Sequence, residues 1–132
     1  MLEIIVAFAT IFGPSHMDPF NPHPSLACAR EVFGRPRAVD VAISAVASYK
    51  HPCGTRLRIC SPKRCIVARV LDRGPRRARL DGPHTDDLDL SVALARALGI
   101  GDMRGRPTCK RAEPSRGCPI TYTVDRYDPP RS

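Results

Sequence analysis

The stretch from His51 to Ser91 decides the fold, through three pieces in order: HPCGTRLRI at 51–59, CIVARVLDRGP at 65–75 and DLDLS at 87–91. Pro52-Cys53-Gly54-Thr55 is a turn that delivers a strand, because proline fixes φ and glycine accepts backbone angles that other residues avoid. Arg56 to Cys60 then alternates polar and apolar, the pattern of a half-buried strand. Cys65 to Leu71 is rich in β-branched and apolar residues and forms a second strand. It ends in Asp72-Arg73-Gly74-Pro75, a polar loop that places a carboxylate at a strand end. Such spacing suits a small β-barrel with an aspartate in a groove.

Around this stretch the pattern is mostly short strands and turns. Val39 to Ala47 reads as a strand or strand approach, with a short helix as the alternative given its alanines. Arg73 to Asp86 is a charged loop with several proline and glycine breakers. Ser91 is a good N-cap for a helix over Val92 to Leu98, Asp89 adds negative charge near the positive end of its dipole, and Gly99 stops it. A closing hairpin is expected over Pro107 to Val124, where PITYTV alternates, followed by an irregular tail at 125–132.

The N-terminal run Met1 to Phe12 is apolar except for Glu3. It is too short to span a bilayer as an ordinary helix and lacks the basic start of a signal peptide. A poor signal, an arm docking on a partner and an extension upstream of a start at Met17 are all open readings. Pro14 to Pro24 reads as an extended linker. The expected organisation is thus an arm and linker at 1–24, a barrel domain at 25–124 and a tail at 125–132, with no transmembrane span.

The chain has 132 residues, enough for one domain with a modest core. Its formal charge of +8 is carried almost wholly by arginine. Such a surface favours polyanions. Nucleic acid is not the expected partner, since no aromatic-rich motif, zinc-finger spacing or helix-turn-helix accompanies the charge. Six cysteines form an even set in a short chain. Cys60 and Cys65 flank the turn SPKR, and Cys109 and Cys118 flank a polar loop, so each pair is placed to staple a hairpin. Elimination leaves Cys28 with Cys53, one of many connectivities that six cysteines allow. Paired CxxC spacings are absent, so no zinc site is expected, and the acidic residues match no calcium loop. No metal or cofactor is expected. Disulfides imply an oxidising compartment.

ASYKHPCGT at 47–55, LDRGP at 71–75 and LDLS at 88–91 together resemble the RlpA-like double-psi β-barrel family, related to expansins and barwin-like domains. The family pattern runs AH..LP.GT, a hairpin, DRGP, then DLS opening a short helix, and the likeness covers roughly Cys28 to Gly105. Asp40 also sits where that family often has an acidic residue. The resemblance implies a mainly β fold: a small six-stranded double-psi barrel with one or two short helices, stapled by disulfides. Ala27-Cys28 and Pro52-Cys53-Gly54-Thr55 recur together in cysteine-bearing members, which supports a Cys28–Cys53 bridge.

Lytic members of that family cleave peptidoglycan with the aspartate of DRGP and the histidine of AH. By position the aspartate is Asp72, and the histidine position falls on Ser48, six residues before Gly54. His51 lies three residues later, where a histidine beside proline in a turn is usually exposed. Arg69, Arg73, Arg76, Arg77 and Arg79 are near Asp72 in sequence and favour its charged form, which suits a binding carboxylate better than a general acid. Asp89 matches the DLS aspartate that relatives place in the same groove, with helix capping as the plainer role. Tyr49 offers a face for a sugar ring, or rim packing. Asp81, Asp86 and Asp87 read as a solvated acidic loop with internal ion pairs.

The resemblance implies an extracytosolic protein that binds cell-wall glycan, or cleaves it as a lytic transglycosylase, with Asp72 catalytic and Asp89, Ser48, Tyr49, His51 and Arg73 contacting substrate. The alternative is a non-catalytic assembly component, of a virion or tail, whose residues 1–24 dock on a partner. A secreted defence protein like barwin is a third reading. Extracellular, periplasmic and virion-associated locations all fit.

Overall fold

The computed structural model describes residues 3–12, 26–37, 43–75, 78 and 82–127. The linker at 14–24, Asp40, Arg76, Arg77, Arg79, Asp81 and the last five residues lie outside them. The described elements are β1 (Ile5–Phe12), α1 (Ala29–Phe33), β2 (Val46–Ala47), β3 (Thr55–Cys60), β4 (Cys65–Asp72), β5 (Leu88–Ser91), α2 (Val92–Ala97) and β6 (Cys118–Tyr127). The strands close into a barrel in the order β1-β5-β2-β4-β3-β6.

Alternation drives closure. Leu57 and Ile59 of β3, Val70 of β4, Leu88 and Leu90 of β5 and Tyr122 of β6 point inward and are fully buried, with Leu94 and Leu98 closing one end. A smaller cluster of Leu26, Ala29, Ile43, Ala45 and Leu71 lies outside the barrel wall, where α1 packs. The two strands read from the central stretch extend one residue beyond their expected limits, to Thr55–Cys60 and Cys65–Asp72. They pair antiparallel with Cys60 opposite Cys65. All three disulfides form as the sequence indicated: Cys28–Cys53, Cys60–Cys65 and Cys109–Cys118. No described residues group as a metal site.

Ser91 caps α2 by accepting from the Leu94 amide at 3.3 Å and from Ala45 N at 2.9 Å, so one hydroxyl both starts the helix and ties it to the approach of β2. Gly99 follows at φ +77°, the left-handed turn expected of a helix stop.

Several expectations are corrected. The apolar N-terminal run is not an arm: residues 5–12 are β1, parallel to β5 and antiparallel to β6, and Ile5, Ala7 and Ala9 enter the core. A strand with partners on both sides has no free edge to dock on another protein. Of the stretch Val39 to Ala47, residues 43–47 are described, and among these Val46–Ala47 is strand; 38–42 fall outside the described residues. The C-terminal hairpin reduces to the single long strand β6, which runs on through Tyr127, with two isolated bridges, Gly101 to Pro107 and Glu113 to Gly117, before it. Asp87 is not solvated. It is 1% exposed and ion-paired to Arg116.

Candidate functional site

Two-residue β2 positions the site. Ala47 is in register with Asp72 of β4 on one side and with Asp89 of β5 on the other. Neighbouring strands lie ~4.8 Å apart, so the two aspartate backbones flank Ala47 at a separation of roughly 10 Å. The loop after β4 folds back over this point: a Cβ placed on Gly74 would lie 3.5 Å from Ala47 Cβ and 3.7 Å from Asp89 Oδ2. Gly74 thus sits above the Asp89 carboxylate without a side chain to cover it.

Asp72 is half-buried. Its Oδ1 accepts the Ala27 amide at 2.9 Å, and the Arg73 amide also hydrogen-bonds to the carboxylate. Burial pushes its pKa above the ordinary 3.8, outweighing those two amides and the Arg73 charge, which pull it down. Among the described residues burial, and not the arginine charge, therefore sets the direction of the shift, against the expectation that nearby arginines favour the charged form, although the Arg73 charge still pulls the pKa down. Arg73 is directed elsewhere: its Nη1 donates to the carbonyls of Ser48 at 3.0 Å and His51 at 2.7 Å, clamping the 48–51 turn. Arg69 is on the outer wall of β4.

A raised carboxyl pKa has a definite sign in stability. The folded state holds the proton more tightly than the unfolded chain, so this contribution is fully present below 3.8 and is lost as pH rises through the folded value. Asp72→Asn removes the burdened charge. Its melting temperature is expected to exceed wild type at pH 7 and to match it near pH 3, as scanning calorimetry at both pH values would show; a lower value at pH 7 would mean that the charged carboxylate stabilises the fold.

Asp89 is also half-buried and accepts from Thr10 Oγ1 at 2.9 Å. It lies on the strand that enters α2, but the capping hydroxyl is that of Ser91, which leaves the Asp89 carboxylate beside Gly74. Nothing local in the sequence marks Thr10 as a site neighbour, because its partner Asp89 is 79 residues away. Ala27, whose amide fixes Asp72, carries no side-chain signal at all.

Ser48 and His51 do not face the groove. Ser48 is fully buried, and its hydroxyl accepts the amides of Lys50 at 3.1 Å and His51 at 3.0 Å, so it is spent on the turn. His51, expected to be exposed, is 8% exposed and stands edge-on to Tyr122, with Nε2 3.2 Å from the phenol oxygen. The Tyr122 hydroxyl donates to Asp86 O at 2.8 Å, which leaves its oxygen to accept from an Nε2–H tautomer. Burial, then the neighbouring Lys50, lowers the His51 pKa against a smaller opposing effect of Asp86. Its neutral ring stabilises fully above 6.5, and that contribution is lost as pH falls toward the lowered folded value. Tyr49 is half-buried, and Lys50 pairs with Asp86 at the surface.

No family model and no curated protein matches the chain. Two solved structures do resemble it in fold. The crystal structure of an apo expansin from Clavibacter michiganensis is 25% identical with a TM-score of 0.52, covering 92% of this chain and 50% of that one. An aspartate-to-asparagine mutant of Clavibacter michiganensis expansin in complex with cellohexaose is 22% identical with a TM-score of 0.51, over the same shares. The chain thus spans about half the length of these expansins. With its closed six-strand order, two short helices and three disulfides, the protein is an expansin-like double-psi β-barrel in architecture.

Proposed function

We propose that the protein binds cell-wall glycan, specifically peptidoglycan, outside the cytosol, in the groove where Asp72 and Asp89 flank Ala47. The observation that carries this reading is the half-buried Asp72 carboxyl, held by one amide of its own loop and one from Ala27, with its pKa raised by burial. Its carboxyl oxygens accept hydrogen bonds from sugar hydroxyls. Asp89 supplies a second acceptor beside the bare backbone of Gly74. The expansin in complex with cellohexaose supports a glycan as the ligand class. Three disulfides support an oxidising compartment.

The raised pKa also favours a second reading, cleavage as a lytic transglycosylase. A glycoside hydrolase uses two carboxyls about 5–9.5 Å apart. A transglycosylase manages with one. The protonated Asp72 gives its proton to the glycosidic oxygen as the anomeric C–O bond breaks; the sugar's own 6-hydroxyl oxygen bonds to the anomeric carbon, and its proton returns to Asp72. The product is a 1,6-anhydro sugar, and no water is consumed. His51 takes no part, its ring being committed to Tyr122.

Incubation with purified peptidoglycan sacculi tests both. Wild type is expected to sediment with sacculi, and Asp72→Ala to lose at least about tenfold in retention, as for a lost charge-assisted hydrogen bond. Anhydro-muropeptides released by wild type but not by Asp72→Ala would add cleavage to binding. Equal retention of the two proteins would reject the groove.

A further inference from the structure

The turn between β3 and β4, the stop of α2 and the loop before β6 enclose a pocket of about 420 Å³. Pro62, Ile100 and Pro119 give it apolar walls, and Lys63, Lys110 and Arg111 stand around it. It lies beyond Cys65, at the far end of β4 from Asp72, about 23 Å along the strand. Both wall segments are fixed. The Cys60–Cys65 bridge staples the first turn, and the Ser61 hydroxyl donates to the Leu98 carbonyl at 2.7 Å. The Cys109–Cys118 bridge and the bond from Thr108 N to Ile100 O, 3.0 Å long, hold the second. A Cβ on Gly99 would lie 2.7 Å from Lys63 Cδ, so the lysine stem runs across the helix stop. All three cations are exposed, and among the described residues none of them makes a side-chain hydrogen bond or ion pair.

We propose that this pocket binds an acidic peptide segment of a protein partner, with one apolar side chain seated against Pro62, Ile100 and Pro119 and flanking carboxylates meeting Lys63, Lys110 and Arg111. Concave apolar walls with a few charged groups around them are the usual form of a binding pocket. The cations come from two segments, one on the β3–β4 turn and two on the loop before β6, so carboxylates on both sides of an apolar anchor match them. A fatty acid carries one carboxylate at one end and leaves the other cations unmatched. A neutral glycan has no use for the charge. Single-stranded nucleic acid is held by stacking on exposed aromatic faces, and none of the described lining residues is aromatic. Because both walls are stapled, little ordering cost falls on this side of the complex. Cations left at a wet rim speed encounter and add modest affinity, so the apolar anchor supplies the rest. The pocket is remote from the groove, and its peptide binding does not rest on the glycan reading.

The test is fluorescence anisotropy of a labelled hexapeptide, Glu-Asp-Leu-Phe-Asp-Glu, titrated with the full disulfide-bonded chain. Saturable binding is expected. Exchanging Leu-Phe for Ser-Ser, or the four acids for their amides, is expected to weaken it at least about tenfold in each case, the worth of one buried apolar side chain or of several exposed ion pairs. The triple variant Lys63→Gln, Lys110→Gln, Arg111→Gln is expected to lose about tenfold for the acidic peptide and to bind the amidated peptide as wild type does. Arg30→Gln, which removes one exposed charge from α1 near the Asp72 end, is expected to change affinity by less than about twofold. Absence of saturable binding, equal affinity for the Ser-Ser peptide, or wild-type affinity in the triple variant would each overturn the proposal. So would Arg30→Gln losing as much as the triple variant, or a thymidylate oligomer of equal charge displacing the probe as well as unlabelled peptide does. Every substituted side chain is exposed, and matching melting curves verify that the variants fold.

Discussion

Removal of residues 2–12 is expected to abolish cooperative folding. β1 closes the barrel, lying parallel to β5 through Ala9 to Phe12 and antiparallel to β6 through Ile5 to Ala9. Without it both neighbours become open edges, the situation that invites aggregation. The energetic loss is of the order of the whole stability. Burying Ile5 is worth about 1.5–3 kcal/mol, each ladder group left buried and unpaired costs ~1–3 kcal/mol, and a domain of this size is held by only about 5–15 kcal/mol. Thr10 and its hydrogen bond to Asp89 are lost with the strand, so the groove goes too. Circular dichroism melting and size-exclusion chromatography of the deletion under oxidising conditions would decide it. The expected result is a broad, non-cooperative melt with aggregates in the void volume. A sharp melt at the monomer position would mean that β1 is dispensable.

That strand also shows where sequence reasoning stops. Ser91, Gly99 and the Cys60–Cys65 hairpin were legible because capping, a left-handed helix stop and a hairpin staple are set by residues a few positions apart. The central strands were legible because Arg56 to Cys60 and Cys65 to Leu71 pattern themselves against a neighbour across a four-residue turn. β1 has no such neighbour. Thr10 meets Asp89 across 79 residues, and an apolar run of that length is equally consistent with an arm until its partners are known. α1 was missed for another reason. At five residues, Ala29 to Phe33 is too short for a 3.6-residue periodicity, and its stability comes from packing its buried Ala29 against Leu26 and Leu71 rather than from propensity.

The candidate site divides in the same way. Asp72 and Asp89 were picked out by their places in DRGP and DLS, and the register of Ala47 with both brings them to one groove. What sequence could not show is direction and burial. Arginines near Asp72 in the chain point to a lowered pKa, yet Arg73 turns to the carbonyls of Ser48 and His51 and burial shifts the pKa upward. His51 beside a proline pointed to solvent, yet the turn fixed by the Ser48 hydroxyl swings its ring onto Tyr122.

The buried Asp87 is the second feature on which the fold depends. Its Oδ1 accepts from Phe8 N at 3.0 Å and Arg116 Nη2 at 2.8 Å, and its Oδ2 accepts from Arg116 Nε at 2.8 Å. The Arg116 guanidinium also lies 4.2 Å from the Phe8 ring centre. One carboxylate therefore joins β1, the start of β5 and the loop before β6. The next residue, Gly117, is held so close to β1 that a Cβ there would lie 2.0 Å from the Ala9 carbonyl oxygen, which leaves the loop no freedom to re-form the contact with another side chain. Removing one partner of a buried pair strands the other charge, and Arg116→Ala is expected to lower stability by about 3–5 kcal/mol. Replacing both partners by apolar residues, Asp87→Leu with Arg116→Met, removes the stranded charge and is expected to restore most of that loss, because apolar substitution of a buried pair is often neutral. Urea denaturation of the three proteins measures both steps. Since Arg116 keeps part of its side chain in water, 22% by area, a loss below about 1 kcal/mol would place the pair in the class of exposed ion pairs and return the anchoring of β1 to its ladders alone.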